Sequence, residues 1–135
     1  MVTSTDKLMV HQTDKLTFTI GVTEGYFHNN EEYLDNTDTF VSLLKTCASK
    51  IEEKYGVYIS LNLMPSITVY KEEWGCPHNG ENTYTISAIR NPQFNPDIPQ
   101  WRKAAVALVK LLKSKLKQST VTVEFSQVDM LYLNE

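Results

Sequence analysis

The chain has 135 residues, a single-domain length, with 41% hydrophobic and 21% charged residues, which excludes wholesale disorder. A net charge of −3 speaks against a dedicated nucleic-acid binder, whose footprint is normally basic. Two cysteines, Cys47 and Cys76, are too few for a disulfide scaffold.

The first residues, "MVTSTDKLMVHQTDKL", lack the charged start, apolar core and small-residue cleavage site of a signal peptide. No apolar run approaches membrane-spanning length, and no Asn-x-Ser/Thr acceptor occurs. The expected location is therefore cytoplasmic or associated with a virion or other assembly, with reduced thiols and no membrane contact. "TDKL" occurs twice, at residues 5–8 and 13–16, but the flanks do not match, so it is read as coincidence. Residues 1–14 are expected to form a tail or a short extra strand, and residues 15–135 a single α+β domain.

Residues 15–22, "KLTFTIGV", put Leu16, Phe18, Ile20 and Val22 on one side, the period of a half-buried strand. The polar segment "TEGYFHNNEEYLDNTD" that follows has neither a helical nor a strand period. From Asp38 onward, Phe40, Leu44, Cys47, Ala48, Ile51 and Tyr55 make one helical stripe, with Thr37 or Asp38 as cap and Gly56 as stop. The segment "VYISLNLMPSITVYKEEW" alternates again, and Pro65 requires a bend or an edge position there. "NTYTISAIR" reads as a third strand. Asn79-Gly80 before it signals a type I′ hairpin turn, whose central residues both need positive φ. Beyond the loop "NPQFNPDIPQ", Pro99 fits the first turn of a second helix with the stripe Trp101, Ala105, Leu108, Leu112 and Leu116. "STVTVEFSQVDMLYL" closes the chain as one long strand, or as two with a bulge at Ser126-Gln127.

The order β-α-β-β-α-β is that of the ferredoxin-like split βαβ arrangement, an antiparallel sheet with two helices packed on one face. An α+β fold with extra strand pairs at residues 67–73 and 127–133 is the alternative. The ferredoxin-like resemblance rests on element order and carries no functional residues with it. RNA recognition motifs share this order, but they stack bases on sheet aromatics. Here the open face is expected to present Thr17, Thr19, Ser60, Asn62, Thr83, Thr85 and Ser87. Such a face suits water or a second copy of the chain.

This topology brings the loop after the first strand next to the hairpin between the second and third strands, where "EEWGCPHNGE" lies. His28, Cys76 and His78 would converge there, with Tyr26, Trp74 and Glu81 on the same rim. A thiolate and two imidazoles suit tetrahedral zinc, the one metal these residues suggest, or a Cys–His nucleophile. The spacing matches no known zinc motif, so a plain hairpin tip is preferred and no cofactor is expected. The acids of the first loop lack the order of a calcium loop. Arg102, Lys103, Lys110, Lys113, Lys115 and Lys117 are read as the solvated side of the second helix.

In the absence of any catalytic signature, the expected function is non-enzymatic. The chain is read as a small domain acting through self-association or partner binding, as a homo-oligomeric subunit of an assembly, including a phage-type one, or as a regulatory module. The sequence does not identify a protein partner. The alternative is a metal-binding protein or Cys/His-dependent enzyme with its site at the rim.

Overall fold

The computed structural model describes residues 9–24, 28–29 and 37–133. Its elements in chain order are β1 (Val10–Gly21), β2 (Thr23–Glu24), β3 (His28–Asn29), α1 (Thr37–Tyr55), β4 (Asn62–Thr68), β5 (Glu81–Ile89), α2 (Ile98–Lys115) and β6 (Val123–Leu131). A 3₁₀ turn, Glu72–Trp74, lies between β4 and β5. Strands β4, β5, β1 and β6 form one sheet in that spatial order, with every pairing antiparallel. β2 and β3 pair as a separate two-residue ribbon. Apart from this ribbon, the arrangement is the βαββαβ ferredoxin-like fold with both helices on one face.

Alternation dictates which face is covered. Leu16, Phe18 and Ile20 of β1 and Tyr84, Ile86 and Ala88 of β5 are buried together with Phe40, Leu44, Cys47 and Ile51 of α1. α2 adds Trp101, Ala105, Leu108 and Leu112 to the same core. The Phe40 ring stacks on Tyr84 at 4.1 Å between centroids. Burial of each large apolar side chain contributes roughly 1.5–3 kcal/mol. Gly56, at φ +71, ends α1. The Asp97 carboxylate accepts the Gln100 backbone N–H at 3.0 Å and caps α2. Among the described residues, no helix is long and apolar enough to cross a membrane.

Three expectations need correcting. β1 starts at Val10, because the second half of β6 extends far enough to pair with it, Val10 opposite Leu131. The alternation that marks a strand fails there because polar Thr13 and Asp14 are the buried residues. Thr13 donates to the Arg90 carbonyl at 2.7 Å, and Asp14 accepts from Arg102 Nε at 2.7 Å. β6 keeps an unbroken register through Ser126 and Gln127, so of the two readings of this segment the single strand holds.

The second strand is shorter than its alternation, running from Asn62 opposite Ser87 to Thr68 opposite Glu81. Pro65 sits within it, on the edge of the sheet, the position where strands tolerate a residue without an N–H. The turn is not type I′. Gly80 N–H donates to the Pro77 carbonyl at 2.9 Å, so His78 and Asn79 are the central residues. Gly80 has φ +84, while Asn79 does not have positive φ.

The open face carries a network of hydroxyls. Thr19 bonds Thr85 at 3.2 Å, Thr85 donates to Ser66 at 3.0 Å, and Thr83 bonds both Ser66 at 2.8 Å and Thr68 at 3.1 Å. β1, β5 and β4 are thereby cross-linked on the side away from the helices.

Candidate active site

A cleft of about 320 Å³ opens at one end of this hydroxyl face. Thr19 and Gly21 come from the end of β1, Thr68 and Tyr70 from the end of β4 and just beyond, and Glu81 and Thr83 from the start of β5. The stretch from Gln118 to Thr122, leading from α2 to β6, closes the remaining side. The antiparallel register makes these positions neighbours, since Thr68 faces Glu81 and Gly21 faces Thr83.

The Tyr70 hydroxyl donates to Glu81 Oε1 at 2.8 Å. Glu81 Oε2 lies where a Cβ at Gly21 would have to be, and Gln118 Oε1 would be 2.8 Å from that Cβ. Glycine at position 21 is what allows the carboxylate to lie against β1. Gln118 is turned by its own amide, which donates to the Leu116 carbonyl at 3.1 Å. Among the described residues, the lining contains one carboxylate, one phenol, several aliphatic hydroxyls and an amide, but no Lys, Arg or His. Such a site favours a ligand carrying positive charge and several hydrogen-bonding groups.

Four of the rim residues expected from the sequence, Trp74, Cys76, His78 and Glu81, lie among the described residues. Glu81 lines the cleft. Cys76 turns inward, 8% exposed, accepting the Tyr70 backbone N–H at 3.5 Å and donating to the Pro77 carbonyl at 3.4 Å. The His78 side chain is 91% exposed, with Nδ1 3.7 Å from a Glu72 carboxylate oxygen. Trp74 is exposed, with the Lys71 ammonium 5.8 Å from its ring centroid. Tyr26 and the side chain of His28 lie outside the described residues. Among the described residues, no group of three His, Cys, Asp or Glu could hold a metal ion.

Sequence reasoning missed Tyr70, Thr68, Gly21 and the 118–122 stretch. The signal for the first two was a register: with Pro65 placed opposite Tyr84, Thr68 must meet Glu81.

A family model described as SAM lyase matches residues 11–134, nearly the whole chain. The chain belongs to the SAM lyase family. Two solved structures share its fold. A phage SAM lyase in the apo state superimposes with a TM-score of 0.57 at 16% identity, covering 90% of this chain and 90% of that one. A phage SAM lyase in complex with S-methyl-5'-thioadenosine gives 0.54 at 16% identity, covering 89% and 90%. Among curated proteins, none matches the chain in sequence.

Membership of the SAM lyase family overturns the expectation of a non-enzymatic module that works only by self-association or protein binding. The expectation failed because it relied on finding a local motif. The cleft is assembled from four separate stretches of chain, none of which has a recognisable catalytic spacing.

Proposed function

We propose that this chain is a lyase that cleaves S-adenosylmethionine, with the Tyr70–Glu81 cleft as its active site. The observation that carries the reading is the family match over residues 11–134. The chemistry of the cleft supports it.

S-adenosylmethionine bears a sulfonium, an ammonium and a carboxylate, together with ribose hydroxyls and an adenine. S-methyl-5'-thioadenosine is what remains when the bond from sulfur to the amino-acid chain breaks. A lyase breaks that bond without water, so the new bond at the released carbon must come from the substrate itself. The substrate carboxylate reaches that carbon through a five-membered ring. An O–C bond forms, the C–S pair goes to sulfur, and a lactone leaves beside the neutral thioether. No proton moves, and no protein nucleophile or metal is needed. Holding the chain curled is the main requirement, and correct orientation alone is worth as much as about 7–11 kcal/mol of barrier.

The electrostatics select a role for Glu81. The reaction destroys the charges on the sulfonium and the carboxylate but keeps that on the ammonium. A carboxylate beside the sulfonium would stabilise the ground state more than the transition state, which slows the step. Glu81, held by the Tyr70 hydroxyl, is therefore assigned to the ammonium. The threonine and serine hydroxyls and Gln118 are left for the nucleoside. The hydroxyl-lined wall, which has no cation among the described residues, leaves the substrate carboxylate free for the internal attack.

The chain is also proposed to self-associate. Met64 and Ile67 of the edge strand β4, with Val69 and Trp74 beyond it, are all more than 60% exposed. Apolar side chains beside an unpaired strand edge are a surface that a second copy would cover. Sedimentation analysis at several concentrations tests this, and a strict monomer would remove it.

The activity is tested by incubating the chain with S-adenosylmethionine and separating the products at early times. The expected products are S-methyl-5'-thioadenosine and a lactone without oxygen from labelled water. Labelled homoserine at the earliest times would show hydrolysis instead, and no thioadenosine at all would remove the reading.

A further inference from the structure

β4 ends at Thr68, and its last ladder partner is Glu81. Tyr70 lies two residues beyond the end of this strand, and its hydroxyl meets Glu81 at 2.8 Å. The group that receives the Tyr70 N–H is the Cys76 sulfur, at 3.5 Å. The thiol hydrogen continues to the Pro77 carbonyl at 3.4 Å.

The loop pins this sulfur from both sides. On one side, Gly75 at φ +101 closes the 3₁₀ turn through its N–H to the Glu72 carbonyl at 2.9 Å. On the other, the Pro77 carbonyl also accepts the Gly80 N–H at 2.9 Å. Gly80 lies so close to β4 that a Cβ there would be 2.5 Å from Ile67 Cγ2. The thiol is buried, is bonded at both its donor and acceptor sites and faces no second cysteine, and Cys47 lies apart in the helix core.

We infer that Cys76 is a positioning residue for the lyase reaction, fixing the Tyr70 backbone so that the phenol orients Glu81. This rests on reading the cleft as the active site. The sulfur never touches substrate; it acts through Tyr70. A small buried cysteine that merely fills space would look similar in the core, but it would not need its sulfur to accept a particular N–H. The "EEWGCPHNGE" loop then serves the chemistry as a support for the site.

The test uses the full chain with Cys76→Ala and Cys76→Ser. Alanine deletes the sulfur and with it both bonds, while serine keeps a donor and an acceptor at nearly the same size. Two readouts are taken: hydrogen exchange at the Tyr70 amide, and kcat and KM for S-adenosylmethionine. In Cys76→Ala, exchange at Tyr70 is expected to quicken at least about tenfold as the local opening becomes easier. The kcat is expected to fall about tenfold, within the range for a small misplacement of a catalytic group, with KM moving less. Cys76→Ser is expected to restore both. Unchanged Tyr70 exchange in folded Cys76→Ala overturns the assignment, as does faster exchange with wild-type kcat. If the alanine variant does not fold, Cys76→Ser decides alone: slow exchange supports the role and fast exchange overturns it. If wild-type protein makes no S-methyl-5'-thioadenosine, the lyase reading has failed, and the role of Cys76 as the anchor of Tyr70 is still decided by the exchange data.

Discussion

The Glu81 carboxylate occupies the volume that any side chain at Gly21 would need. Two strands share one space, and the one without a side chain yields it. Gly21→Ala should therefore push the carboxylate away from β1 and off the Tyr70 hydroxyl. Activity is expected to fall by about 10–100-fold, with stability little changed, because the displaced atoms are the ends of flexible side chains. Steady-state kinetics and urea unfolding check the two parts.

Glu81→Gln keeps the shape of the side chain but removes its charge. Loss of a charge-assisted bond to the substrate ammonium should lower kcat/KM by about 10²-fold, equivalent to about 3 kcal/mol. S-methyl-5'-thioadenosine has no ammonium, so calorimetry should show its affinity nearly unchanged. Equal losses for both molecules would place Glu81 on the nucleoside instead. Tyr70→Phe should have a smaller effect, about tenfold, because the carboxylate remains and only its orientation is freed.

The fold was legible in the sequence wherever one face of an element is apolar. Leu16, Phe18 and Ile20, the two helical stripes, and the hydroxyls of Thr19, Thr83 and Thr85 all sit where periodicity placed them. Periodicity failed where burial is polar, as at Thr13 and Asp14, whose partners Arg90 and Arg102 come from far along the chain. Of the candidate site, Glu81 was legible as part of a crowded loop. Tyr70 was not, because its importance depends on register, and register depends on which residue lies opposite Pro65. The directions of Cys76 and His78 were not legible, because composition gives no direction: one side chain points inward and the other into water.

Cys47 is buried in the core, and loss of hydration pushes its thiol pKa upward, against the pull of Lys115 and Lys50. The folded protein therefore holds this proton to higher pH than the unfolded chain does. The resulting stability is complete below the usual thiol range and is lost as pH rises through it toward the raised folded value. Thermal unfolding followed from neutral to alkaline pH should show Tm falling in that window. The fall should be shallower in Cys47→Ala, which starts from a lower Tm because of its cavity.

Thr85 ties Thr19 to Ser66 on the open face and does not line the cleft. Thr85→Val removes both bonds while keeping a β-branched shape suited to a strand. A loss of about 0.5–1 kcal/mol is expected in urea unfolding, with kcat and KM close to wild type. A large loss of activity would mean that the hydroxyl network sets the geometry of the cleft as well as bracing the sheet.

The inner position of β1, between β5 and β6, has a consequence for how the protein comes into being. The earliest strand of this sheet in the chain is an inner one, and its neighbours are among the later parts to be made. Thr19 waits for Thr85, 66 positions on, and Asp14 for Arg102, 88 positions on. On the ribosome, β1 leaves the exit tunnel with both edges unpaired, and the sheet cannot close until β6 has followed. Pairing over such separations is slow and exposes apolar strand in the meantime. A synthesis pause or truncation before β6 would leave Leu16, Phe18 and Ile20 on a strand with one edge open, a form prone to associate wrongly.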